Sequence, residues 1–197
     1  MIRKIAQNIG FKTTAAAVFG TFGLMITRDA QFDGENVSTA RHAVCIVYPT
    51  DTSEVFGIVS FSQDNITTPT KIVAGLRGLD PNSTFGLQIL ENGDLTEGVK
   101  TLGQSYQSAV SPQGRDSSSM YYKHSGDLGN VMTNEKGAGY SAFTNPYIKL
   151  FGESSVYGRS CGVFAEPNDQ TTSLNRGKLL AAGVIGRSST FKNLPPA

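Results

Sequence analysis

From residue 42 onward the chain is written in short β-branched or aromatic runs cut by turn residues, and this pattern removes most of the folds open to it. Residues 42–48, 55–62, 70–77 and 84–90 are such runs, separated by Pro49-Thr50-Asp51, by residues 65–69 and by Asp80-Pro81-Asn82-Ser83. Proline fixes φ, and aspartate, asparagine and serine bond back to their own backbone, so each interruption turns the chain. Residues 139–144, 147–151, 158–164 and 179–185 repeat the pattern, and Asn134-Glu135-Lys136-Gly137 reads as a hairpin turn. Strands at this spacing predict an all-β sandwich or barrel. Residues 96–123 are a longer, irregular stretch rich in Gly, Ser and Gln, more loop than a compact domain usually carries without a use for it. The tail after Arg187 ends Asn193-Leu194-Pro195-Pro196-Ala197 and is expected to be poorly ordered unless something binds it.

The first 28 residues are unlike the rest. They hold Arg3, Lys4, Lys12 and Arg28 and no acid, with an uncharged run between Lys12 and Arg28. Three readings stay open: a mitochondrial presequence, a secretory signal, or a membrane anchor of about 20 apolar residues. We expect residues 1–28 to be a retained transmembrane helix, with Ala16, Ala17, Gly20 and Gly23 leaving its sides small enough for close approach of a neighbouring helix. Residues 29–41 are polar and read as a linker. The domain is expected over residues 42–188, with 189–197 as a tail.

A formal net charge of +1 gives no basic footprint, so nucleic acid is not expected as a partner. With only Cys45 and Cys161 a disulfide framework is excluded, and the expected state is two buried thiols inside strands. There is no phosphate-cradling GxxxxGK loop, no CxxC and no Ser-His-Asp arrangement of defensible spacing, so no small-molecule substrate is expected. His42, alone at a strand start, is expected to be structural or exposed. Asn36-Val-Ser, Asn65-Ile-Thr and Asn82-Ser-Thr match the glycosylation acceptor pattern, which has meaning only in the secretory pathway.

One motif carries metal chemistry. His124-Ser125-Gly126-Asp127-Leu128-Gly129-Asn130 sets one of only two histidines three residues before an aspartate. Imidazole and carboxylate both suit zinc, but a structural zinc takes about four ligands and a catalytic one about three plus water. The motif supplies half a site.

Taken in order, His42-Ala-Val-Cys-Ile-Val, Gly57-Ile-Val-Ser-Phe, Gly75-Leu-Arg-Gly-Leu, Glu91-Asn-Gly-Asp94, the His124 to Asn130 motif, Tyr157-Gly-Arg159 and Ala182-Gly-Val-Ile-Gly186 resemble the copper/zinc superoxide dismutases over about residues 41–188. The resemblance implies an eight-stranded Greek-key β-barrel, a flattened relative of the immunoglobulin-type sandwich. It also implies a copper and zinc site from which this sequence departs. The copper pair of histidines falls at Gln88 and Leu90, the histidine bridging the two metals near Ala109, and the fourth copper histidine at Phe164. Such a copper site needs four histidines, and the domain contains two. Of the zinc ligands, His124 and Asp127 match, while the other two histidines have no counterpart among residues 100–123.

The disulfide that the resemblance implies falls at Val99 and Ala182, and its guiding arginine at about Leu179, beside Lys178. The expectations are therefore no bound copper or zinc, no other cofactor, and a former cavity filled by side chains. Asp127 is expected to accept backbone hydrogen bonds at a turn, with His124 packed over the loop. The functional expectation is a catalytically inactive dismutase-like barrel, an accessory subunit of a mitochondrial inner-membrane respiratory complex. A basic N-terminus facing the matrix puts the barrel in the intermembrane space, with residues 96–123 and 165–178 contacting partners. The alternative is a secreted or surface-tethered dismutase-like binding protein with residues 1–28 as signal peptide.

Overall fold

The computed structural model describes residues 40–108, 125–168 and 177–196. Contacts divide the chain into Met1–Asn36 and Val37–Ala197, and every described residue belongs to the second unit. The helix expected over residues 1–28 and nearly all of the linker lie outside the described residues. Among the described residues no helix is long and apolar enough to cross a membrane.

Among the described residues eight strands make up the barrel: β1 (Arg41–Pro49), β2 (Phe56–Gln63), β3 (Thr70–Arg77), β4 (Thr84–Leu90), β5 (Asp127–Met132), β6 (Gly139–Asn145), β7 (Ser160–Phe164) and β8 (Leu179–Ser188). The domain starts at Arg41, one residue before the expected His42. All pairings are antiparallel, in the order β5-β4-β7-β8-β1-β2-β3-β6. The connections from β3 to β4 and from β6 to β7 cross between non-neighbours, which is Greek-key topology.

The two edge strands, β5 and β6, are consecutive in the chain and meet at one end through the Thr133–Gly139 bridge. Gly137 N donates to Asn134 O (3.0 Å) with Gly137 at φ 69°, so the turn read at residues 134–137 is the hinge that nearly closes the barrel. Thr133 holds that corner, its hydroxyl donating to Asp80 O at 2.6 Å and accepting from Ser83 N at 3.0 Å.

Alternation places Ala43, Cys45, Val47, Val59, Phe61, Ile72, Leu87, Ile89, Val163 and Ile185 inside, all essentially inaccessible to solvent. Cys45 and Cys161 are buried free thiols within this core. Burial, and next the neighbouring Cys45, push the Cys161 thiol well above its ordinary pKa.

Two strand expectations exchange places. Residues 147–151 do not form a strand, because side chains take the bonds a ladder would supply. Asn145 Oδ1 accepts from Tyr147 N (2.8 Å) and Ile148 N, and Gln63 Oε1 accepts from Leu150 N (2.7 Å). The Thr70 hydroxyl donates to Ile148 O (2.6 Å) and Arg41 to Leu150 O (3.0 Å). Residues 127–132, read as a metal motif leading into a turn, are strand β5.

The tail meets the exception stated for it. It lies along the outer face of β2 and β3, where Lys192 N donates to Ser60 Oγ (2.9 Å) and Leu194 reaches Gly75. It is ordered because the barrel itself binds it.

Candidate functional site

Strands β4 and β7, and β8 over Ala181, Ala182 and Gly183, are buried on both faces, so they read as near-continuous apolar runs rather than alternating ones. Their outward-facing side chains form the candidate site. Register sets Gln88 opposite Gly162, Gly162 opposite Ala182, and Phe164 opposite Leu179, with Leu90 one step further along β4.

Leu90, Leu102, Phe164 and Ala182 pack there as a second buried cluster, with Leu179 against it. The geometry turns on Gly162. A Cβ added to it would lie 2.8 Å from Leu179 Cδ1, 3.0 Å from Phe164 Cε2 and 3.3 Å from Leu90 Cδ1. Three side chains from three strands therefore converge over one bare Cα, and any side chain at 162 would displace them.

Beside this apolar half lies a polar half, built on Asn168. Asn168 Oδ1 accepts from Gln88 Nε2 at 2.6 Å. The two hydrogens of its Nδ2 are shared among Asp127 Oδ1 (2.7 Å), Gly129 O (2.8 Å) and Leu87 O (3.0 Å). Its backbone N donates to Asn130 Oδ1 at 2.7 Å. Asp127 pairs with Gln88 in the β4–β5 register, and its Oδ1 also accepts from Gly129 N at 2.7 Å, the turn bond expected of it. Gly86 makes room for the incoming loop, since a Cβ there would meet Asn168 Oδ1 at 2.6 Å. Gln88, Asp127 and Asn168 are each at least nine-tenths buried.

The structure thus brings Gln88, Asp127, Leu90 and Phe164 to one outer face, while Ala109 and His124 lie outside the described residues. Val99 and Ala182 line one shallow depression of about 240 Å³ with Tyr48, Leu95 and others. His42 sits elsewhere, paired with Ser188, and its Nδ1 is buried without a hydrogen-bond partner. Sequence reasoning missed Asn168, Gly162 and Leu102. The first lies in a polar loop, the second is one of 22 glycines, and no periodicity marks any of them.

A family model for copper/zinc superoxide dismutase matches residues 55–185. The chain belongs to the copper/zinc superoxide dismutase family. A Cryptococcus neoformans var. grubii copper/zinc superoxide dismutase is 35% identical over 145 residues, covering 70% of this chain and 93% of the relative. The Saccharomyces cerevisiae enzyme is 34% identical over 140 residues, 67% of this chain and 90% of the relative. The Humicola lutea enzyme is 32% identical over 142 residues, 68% and 92% respectively.

Family membership brings copper and zinc into question at this face, and the side chains present can be tested against them. Gln88, Leu90 and Phe164 offer one amide and two apolar groups where copper chemistry uses imidazoles, and the apolar two are packed together over Gly162. Asp127 Oδ1 is already engaged by two N–H donors. Among the described residues no three His, Cys, Asp or Glu side chains converge as a metal-holding group. The donor set on the described part of this face does not fit a copper ion.

Proposed function

We propose that this chain has kept the dismutase barrel and given up its redox chemistry, serving instead as a structural or interaction subunit. The observation that carries the reading is the cluster of Leu90, Leu102, Phe164 and Ala182 on the outer face of β4, β7 and β8. Buried apolar side chains converging over Gly162 occupy the space an ion and its ligands would need, and Leu102 ties the long β4–β5 connection to the barrel without one. Function lives in sites grafted on folds, so the barrel persists as a rigid module after the site is filled. The acid-free, basic composition of residues 1–28 supports placing that module at the mitochondrial inner membrane as an accessory subunit of a respiratory complex.

Purification in mild detergent tests the assignment. Co-migration with a large membrane complex, with copper and zinc far below one equivalent per chain by mass spectrometry, is the expected result. A soluble monomer defeats the subunit reading, and stoichiometric copper together with superoxide consumption defeats the loss of catalysis. Asn65 and Asn82 lie exposed in turns, which favours the secreted alternative as second reading. A mature N-terminus near residue 30 with glycans on those asparagines would establish it in place of the first.

A further inference from the structure

The outer face of β2 and β3 carries a contradiction of the alternation rule. Ser60 and Val73 face each other in the β2–β3 register and point away from the core, yet they are 0% and 1% exposed. Their cover is the C-terminal tail. Phe191 lies under Lys71 Nζ (5.4 Å to the ring centroid), Lys192 N bonds Ser60 Oγ, and Leu194 Cδ1 stands 3.1 Å from where a Cβ of Gly75 would be. Gly75 is therefore a slot shaped for the leucine side chain. Leu194 and Pro195 then form one wall of an apolar groove of about 360 Å³, whose other walls include Ile46, Tyr48, Phe56 and Ile58. Ile46, Tyr48 and Phe56 are 46%, 63% and 52% exposed.

We propose that this face is a peptide-binding slot for an extended segment with an aromatic residue three positions before a leucine that is followed by proline, and that residues 191–196 are its ligand in cis. Three features make it a slot. A backbone N–H is read by the buried Ser60 hydroxyl, the leucine is seated on a glycine, and prolines hold the departing strand extended without asking for further donors. The tail thereby controls access to an apolar surface that a bare barrel would leave open.

The test uses full-length protein. A labelled peptide of residues 188–197 is titrated against the wild type, against Leu194→Asp and against Lys192→Pro, which lacks the N–H donated to Ser60. A tethered tail acts at an effective concentration on the order of millimolar, so it competes strongly with peptide added in trans. Saturable binding to both variants, at least tenfold tighter than to the wild type, is expected, and adding Gly75→Leu to Leu194→Asp abolishes it. Equal affinity for wild type and variants, or no saturable binding to either variant, overturns the proposal. Concentration-dependent wild-type dimers lost in Leu194→Asp overturn the cis assignment by giving the slot to another copy's tail. Amide exchange at Lys192 reads the contact without any substitution: protection is expected, and exchange at the rate of a free peptide overturns it.

Discussion

Replacing Asn168 by Asp changes one NH2 for one oxygen and nothing in shape, yet it should be among the most damaging substitutions in the barrel. The new oxygen would stand 2.7 Å from Asp127 Oδ1, with the carbonyls of Gly129 and Leu87 on its other sides at 2.8 and 3.0 Å. Two ionised carboxylates at that separation repel by about 6 kcal/mol at an effective dielectric of about 20. The cheaper response is to keep one proton on the pair, which allows a single O–H to bridge them. Holding a carboxyl with an ordinary pKa near 3.9 protonated at pH 7 costs about 3.1 units at 1.36 kcal/mol each, or about 4 kcal/mol. The pair's pKa is raised in the folded state, so folding is favoured below about pH 4 and loses stability as pH rises.

Urea denaturation of Asn168→Asp and wild type side by side at pH 4, 5, 6 and 7 should therefore give a difference that starts below about 1 kcal/mol and grows by about 1.4 kcal/mol per pH unit. A difference that does not change with pH, or a variant as stable as the wild type at pH 7, would refute the hydrogen-bond assignment on which the polar half of the site rests. EDTA in every sample keeps a cation from bridging the two carboxylates that only the variant has, so a flat result reads the hydrogen bond alone.

Phe164→Ala removes the largest member of the outer cluster and should cost about 3–5 kcal/mol by thermal denaturation; a loss under about 1 kcal/mol would mean that the cluster is not packed. Gly162→Val drives a side chain into Leu179, Phe164 and Leu90, with an expected loss of about 1–3 kcal/mol in the same assay. Gln63→Leu strands the amide of Leu150 and the carbonyl of Thr68, both bonded at 2.7 Å, and should cost about 3 kcal/mol in urea denaturation. The thiols of Cys45 and Cys161 should resist iodoacetamide at pH 8 in the native protein and react in urea. Because burial raises the Cys161 thiol in the folded state, stability should fall as pH climbs above about 8.5.

The barrel was legible because alternation and turn chemistry are local: six of the eight strands lie within a residue or two of a run read from pattern, and β8 runs three residues beyond its own. The errors share a physical cause. Residues 147–151 look like a strand, but side chains bond their backbone: Asn145 from two residues away, and Gln63, Thr70 and Arg41 from 87, 78 and 109 positions away, where nothing local records them. Strand β5 hid behind Asp127, Gly129 and Asn130, residues that ordinarily mark turns and here serve the Asn168 knot. The apolar half of the site was legible as substitutions against a family pattern and as a cavity expected to be filled by side chains, but not in its full membership. That Leu102 from a distant loop completes the cluster, or that Gly162 is its floor, depends on register between strands. The tail's binding partner was hidden for the same reason: nothing near Leu194 in sequence shows that Gly75 lies beneath it.

The side-by-side pairing of the first and last strands has a consequence for when this protein can fold. His42 pairs with Ser188, so the seam between β1 and β8 joins positions 146 residues apart and cannot form until every other strand has been made. Contacts of such separation slow folding, because the loop entropy is lost before the pairing returns anything. Until β8 arrives, β1 and β7 present open edges, and the chain is at its most vulnerable to capture by chaperones or by other copies. The tail follows β8 directly, so its seat on Ser60 and Gly75 can only be the closing event. A chain emerging N-terminus first reaches that event only after all eight strands, with the strand that completes the barrel and the segment that covers it delivered together.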